Sequence, residues 1–403
     1  MVVWAIICTM GNKLAAELKS TVQSDIDNHR HQLADLSLKI HSNPEAGFKE
    51  HKASNWLTQY LEANGFMVQR GICQLETAFK ASYGNKRPAI AILAEYDALP
   101  ELGHACGHNL RAAIAVGAAV ASRATVDKLG GSVLAIGTPA EEIHGGKVIM
   151  ADRGAFNDID IAMMVHPSTN DTATTKALAC TSLDVEFFGR EAHAAAHPED
   201  GINALEAIIL SFNAINSLRQ HTRDDARIHG IISDGGQVVN VVPAHSAASF
   251  LVRADDEKYL ARLKEQVLNC FLGAATASGA RLEYKWGNVQ YSPMLNNLTL
   301  ARLFVDNMKA LGRDIELSRK DQSFGSTDMG NVSQLVPSIH ASVAIAQKGV
   351  SIHSPRFADA AASEDAGRGI ILAAKALAMT VVDLLSSPET LKAVKKEFSE
   401  NSA

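Results

Sequence analysis

Short apolar runs at residues 89–93, 132–137 and 159–165 each stop abruptly at polar clusters, and helical stretches separate them. A run of this kind has no polar face to offer water, so it belongs in a sheet covered on both sides, and the intervening helices supply the covers. Alternating strands and helices then predict an α/β fold built on a mostly parallel, doubly wound sheet. In such sheets chemistry gathers beyond the carboxyl ends of the strands. Those ends carry Glu95-Tyr96-Asp97 with Cys106 and His108 a short way on, then Thr138-Pro139-Ala140-Glu141-Glu142, then His166-Pro167.

A different pattern begins near residue 178. Strands are expected at 183–188, 227–232, 238–242, 247–253 and 281–286, with helices at 201–218 and 257–278. This order predicts a β-α-β-β-α-β unit with one extra hairpin strand, an inserted α+β domain of the ferredoxin-like kind. After residue 295 the first pattern resumes, with a helix at 298–311, a strand at 338–345 and a long apolar helix at 363–385. A chain of 403 residues exceeds what one core holds. The expected division is therefore 1–178 and 295–403 for the first domain and 179–294 for the insert. At the amino-terminal side the first expected helix covers 26–41.

Charge excludes one class of partner. With 44 acidic against 38 basic side chains and a net charge of -6, the chain lacks the basic surface of a nucleic-acid binder. Five scattered cysteines suit a reducing, cytoplasmic setting better than a disulfide framework. Residues 1–10 are apolar but too short to span a bilayer, which needs about 20 residues. They read as a packed or disordered terminus, with a signal-anchor as the alternative, and no membrane partner is expected. Small or peptide-like substrates remain.

Five candidate ligands stand at or beyond strand ends: Cys106, His108, Glu142, His166 and His353. Singly, a cysteine is usually a small buried hydrophobe and a strand-end histidine a turn residue. Together, sulfur, imidazole and carboxylate suit a borderline-soft divalent ion, zinc first, with manganese, cobalt or nickel as alternatives. Five ligands exceed one tetrahedron, so two ions bridged by the Cys106 thiolate use them better. Adjacent Glu141 and Glu142 point different ways, which leaves Glu141 as general base beside Glu142 as ligand. Asp97 is placed to orient an imidazole by accepting its free N–H. A Cys106 nucleophile paired with His108 is a weaker alternative.

The ordered segments EYDALPELGHACGHN, GTPAEEIHGGK, MMVHP, FFGREAHAAAHPEDGINAL, HGIISDGGQVVNVVP, GSTDMGNVS and IHSPRF resemble the amidohydrolase branch of the aminoacylase/carboxypeptidase-type metallopeptidases. That branch includes bacterial aminobenzoyl-glutamate hydrolases, plant auxin-conjugate amidohydrolases and animal dipeptidases acting on basic dipeptides. The wording of the first two segments is most similar to the dipeptidases. The resemblance runs over nearly the whole chain from about residue 26.

It implies a two-metal catalytic domain and an inserted lid that also forms a homodimer. Position by position it implies the same metal ligands, base and orienting acid. It adds His193 as a donor to the oxyanion in the partner subunit's site, and Asn240, Arg253 and His229 as substrate-binding residues of the lid. Arginine suits a free carboxylate because its fork meets both oxygens. Asn109 and Arg111 depart from the branch, many members of which carry Asp and His there; Arg111 brings a charge close to the site. The expected activity is metal-dependent hydrolysis of an amide in a dipeptide or N-acyl amino acid. The alternatives are a biosynthetic enzyme trimming or forming amides on the same scaffold, and a non-catalytic dimeric binding homologue.

Overall fold

The computed structural model describes residues 2–319 and 325–401, excluding the side chains of residues 2–12 and of Ile143. The expectation for the side chains of residues 1–10 falls outside what is described. Among the described residues ten strands occur: β1 (Met67–Arg70), β2 (Phe79–Gly84), β3 (Ala89–Ala94), β4 (Ser132–Gly137), β5 (Ile161–Ser168), β6 (Ala179–Phe188), β7 (Arg227–Asp234), β8 (His245–Ala254), β9 (Arg281–Tyr291) and β10 (Ser338–Ala344). The chain forms two compact units, Met1–Lys176 with Met294–Ser323 and Asn331–Ala403, and Ala177–Pro293 with Phe324–Gly330.

The first unit holds a six-stranded sheet of order β1-β2-β4-β3-β5-β10. From β4 to β10 neighbours run parallel, while β1 and β2 join antiparallel at one edge. Every residue of β3 and β4 is buried, as the uninterrupted apolar runs require. The α/β expectation with a parallel-rich sheet is borne out.

Helix His108–Ala121 is buried along its whole length. It packs against helix Val2–His41 and helix Glu364–Ser386. Gly117 makes that approach possible, because a Cβ there would meet Leu33 Cδ1 at 2.7 Å. Glu364–Ser386 is long and apolar enough to cross a membrane, yet 67% of its most apolar window is buried inside the protein, as in a core helix. The first helix is much longer than the expected 26–41. Leu18, Val22, Ile26, Leu33, Leu36 and Ile40 form one buried stripe of helical period, which polar neighbours between residues 19 and 27 mask in the sequence.

The second unit is an antiparallel sheet of order β7-β8-β6-β9 with helices Ala204–Leu218 and Glu257–Ser278. Taken in chain order, this is β-α-β-β-α-β without the extra strand. The expected strand at 238–242 is instead an exposed connection between β7 and β8. Gly235 and Gly236 break the run on one side, and Pro243 withholds a ladder donor on the other. Residues 325–330, from the stretch expected to continue the first domain, lie with this unit. There the Gly325 carbonyl accepts the Leu178 N–H (2.8 Å) and Ser326 meets Arg253.

Candidate metal centre

Three parallel strands deliver the first unit's chemistry to one edge. β3 leads directly into Glu95, Tyr96 and Asp97, all buried. Gly107, at φ 79°, opens the helix whose first residue is His108. A Cβ on Gly107 would meet Pro167 Cγ at 2.9 Å, so glycine lets this turn lie against the end of β5, which carries His166. β4 leads through Pro139 to Ala140 at φ 60°, and that turn presents Glu141 and Glu142 as the start of the one-turn helix Glu141–His144. His353, far along the chain, is tied to the Cys106 turn by its N–H, which donates to the Ala105 carbonyl (2.9 Å).

The five expected ligands converge. Cys106, His108 and His166 form one triad and Cys106, Glu142 and His353 another, with ligand atoms within 4.8 Å of one another in each. Cys106 Sγ lies 3.3 Å from His166 Nε2, and His353 Nε2 lies 3.3 Å from Glu142 Oε1. Two atoms sharing one tetrahedral ion at about 2.1 Å stand about 3.4 Å apart, so these spacings suit ligation. Glu141 lies in a third group with Glu95 and His108. Asp97 Oδ1 accepts from His108 Nδ1 (2.9 Å), and its Oδ2 accepts the Glu142 N–H (3.1 Å). One carboxylate thus fixes an imidazole and the glutamate turn together.

Charge in the cluster is strongly coupled. Burial would raise the Asp97 carboxyl, but the charge and hydrogen bond of His108 hold it below the usual carboxylate range. The Cys106 thiol and the Glu142 carboxylate beside it push His353 up to about 10. Burial, with His108 and His41 nearby, drives His104 down to about 3. The raised His353 marks the thiol and carboxylate beside it as the place in the cluster where an added positive charge is favoured.

The remaining expected residues belong to the second unit. His193 is exposed, and its Nδ1 accepts from the Ala195 and Ala196 N–H groups (3.3 and 3.1 Å). The neighbouring Asn240 carbonyl accepts the Ala194 N–H (3.0 Å), which brings these two loops together. Arg253 Nη1 donates to Ser326 Oγ (3.1 Å). His229 shares its sheet face with Arg253 by register, and burial followed by the Arg253 and Arg219 charges lowers its pKa.

The sequence profile of the peptidase family M20/M25/M40 matches residues 91–377. The chain belongs to that family. It is accordingly a hydrolase of the peptidase class, and the resemblance read from its motifs is borne out. It is 37% identical to the Xaa-Arg dipeptidase of Mus musculus, over 96% of this chain and 94% of that protein. It is 28% identical to one of the p-aminobenzoyl-glutamate hydrolase polypeptides of Escherichia coli (strain K12), over 95% of each. Among solved structures, a dinuclear metal-binding peptidase of the M20 family from Bacillus subtilis superposes with a TM-score of 0.70 at 21% identity, covering 89% of this chain and 99% of that one.

The cluster in this M20/M25/M40 peptidase fits a divalent ion on its own terms. Glu142 Oε1 is buried without a hydrogen-bond partner, while His353 Nε2 and His108 Nε2 stand 3.3 and 3.8 Å away. Such an oxygen among nitrogen and sulfur donors is satisfied by a cation. Sequence reasoning placed the Arg111 charge near the site but missed its buried partner Glu95 and the second cation, Lys147. Glu95 is 0%, Arg111 1% and Lys147 0% exposed, and both cations pair with Glu95. It also missed Glu50, which is fully buried under the Ala140 turn. A charged residue inside a stretch otherwise apolar, as Arg111 is within its Ala-rich helix, was the available signal.

Proposed function

We propose that the chain hydrolyses the amide bond of a dipeptide or N-acyl amino acid in a metal-dependent reaction. The observation that carries this reading is the pair of ligand triads sharing Cys106, with Glu141 beside them, in a chain of this family. A bound divalent ion, zinc first, supplies Lewis acidity for the scissile carbonyl and makes water acidic enough to attack. Glu141 takes the proton from that water and delivers it to the departing amine, a transfer one carboxylate performs in both directions. Asp97 holds His108 in the Nδ1–H tautomer and, through the Glu142 N–H, fixes the backbone from which Glu141 projects.

In this reading Arg253 and Asn240, with His229, hold the substrate's free carboxylate end, and His193 steadies the oxyanion of a partner subunit's reaction. The shared basic face of Arg253 and His229 supports the first assignment. Exposed Ile231 and Ile232 on the edge strand β7, with exposed Val238, Val239 and Val241 in the following loop, support docking of a second copy on this unit. The 37% identical Xaa-Arg dipeptidase makes dipeptides ending in arginine the first substrates to test, with N-acyl amino acids second.

A screen of both classes reads free amine after chelation and after reconstitution with zinc or manganese. Release is expected only from reconstituted protein. Release that survives chelation, or none from any member of either class, overturns this function.

A further inference from the structure

We propose that Arg111 restricts this chain to one tightly bound divalent ion, seated on Cys106, Glu142 and His353. The inference rests on the metal reading above and departs from the two-ion expectation. His108 has one nitrogen free for an ion, because Nδ1 is committed to Asp97 Oδ1 at 2.9 Å. Arg111 Nη1 stands 3.0 Å from that free nitrogen, Nε2. A guanidinium only donates, so its N–H takes the lone pair that an ion would need.

Arg111 has no room to swing aside. It is 1% exposed, pairs with Glu95, and directs Nη2 at Met164 Sδ (2.9 Å) and His340 Nε2 (3.4 Å). The Glu95 carboxylate that pairs with Arg111 itself lies 3.3 Å from His108 Nε2, so the guanidinium is anchored beside that nitrogen. The Cys106, Glu142 and His353 position offers a thiolate and a carboxylate together. Its His353 side chain is half exposed, so an ion can enter from solvent.

The test is metal content of the full-length protein by elemental analysis after equilibration with zinc or manganese and removal of weakly held ions. Wild type should retain about one ion per chain and Arg111→Met about two. Manganese electron paramagnetic resonance should show isolated ions in wild type and an exchange-coupled pair in Arg111→Met. Two further variants keep the test independent of how Arg111→Met folds. His166→Ala should leave the wild-type content near one, and His353→Ala should lower retention at least about tenfold.

Two tight, coupled ions in wild type overturn the proposal. So does a single ion in a folded Arg111→Met protein, or loss of the ion in His166→Ala with retention in His353→Ala. No ion in wild type or in Arg111→Met overturns the metal reading itself, and the proposal with it.

Discussion

Glu50 accepts the Ala140 N–H on Oε1 (2.8 Å) and the Thr77 hydroxyl on Oε2 (2.8 Å), so one buried carboxyl holds the turn that presents Glu141 and Glu142. Burial pushes its pKa from 4.5 up to about 7, against hydrogen bonds that lower it. Between those values the folded protein keeps a proton that the unfolded chain has lost. The contribution of Glu50 to stability is therefore full below the unfolded value and declines as pH rises toward 7. Glu50→Gln keeps the shape, an acceptor and a donor. It should flatten the pH dependence of the urea-unfolding free energy across that window, and an unchanged slope contradicts the assignment. The expected ligands were legible because each is a chemistry-bearing type at the end of a recognisable strand or inside a long motif. Glu50, Glu95 and Lys147 were not, because a buried charge is defined by what surrounds it, and each has a partner far along the chain, 90, 52 and 52 residues away.

At the scale of elements, apolar runs were read well where burial is complete and poorly where it is partial. β4 and helix Glu257–Ser278 match their expected bounds. The 238–242 run misled because β-branched propensity is weaker than the Gly235, Gly236 and Pro243 that bound it as a loop. β8 already pairs with β7 on one side and β6 on the other, and the valines stay exposed. The long first helix makes a sharper claim. Val22 precedes the expected start at residue 26 yet is fully buried. Val22→Ala should destabilise the protein by about 1–3 kcal/mol in urea unfolding, as a buried truncation does. A change below about 0.5 kcal/mol, the range of surface sites, would place Val22 outside the core.

Across the whole molecule, the two units have separate hydrophobic cores, and all five expected ligands lie in the first. An ion that binds only the folded first unit stabilises that unit by mass action, by about 2.7 kcal/mol at 100 times its dissociation constant. Calorimetry should therefore show zinc raising the unfolding transition of the first unit, and chelation reversing the rise. A shift confined to the second unit's transition, or none at all, contradicts the placement of the metal.

Everything proposed for catalysis turns on Glu141 moving the proton while its neighbours hold the ion. Wild type and Glu141→Gln are compared for amide hydrolysis and metal content on the same preparations. Turnover should fall at least about 10³-fold with metal content unchanged, because the carboxylate that shuttles the proton is gone while every ligand remains. Hydrolysis at a near wild-type rate by Glu141→Gln carrying its full metal would contradict that role.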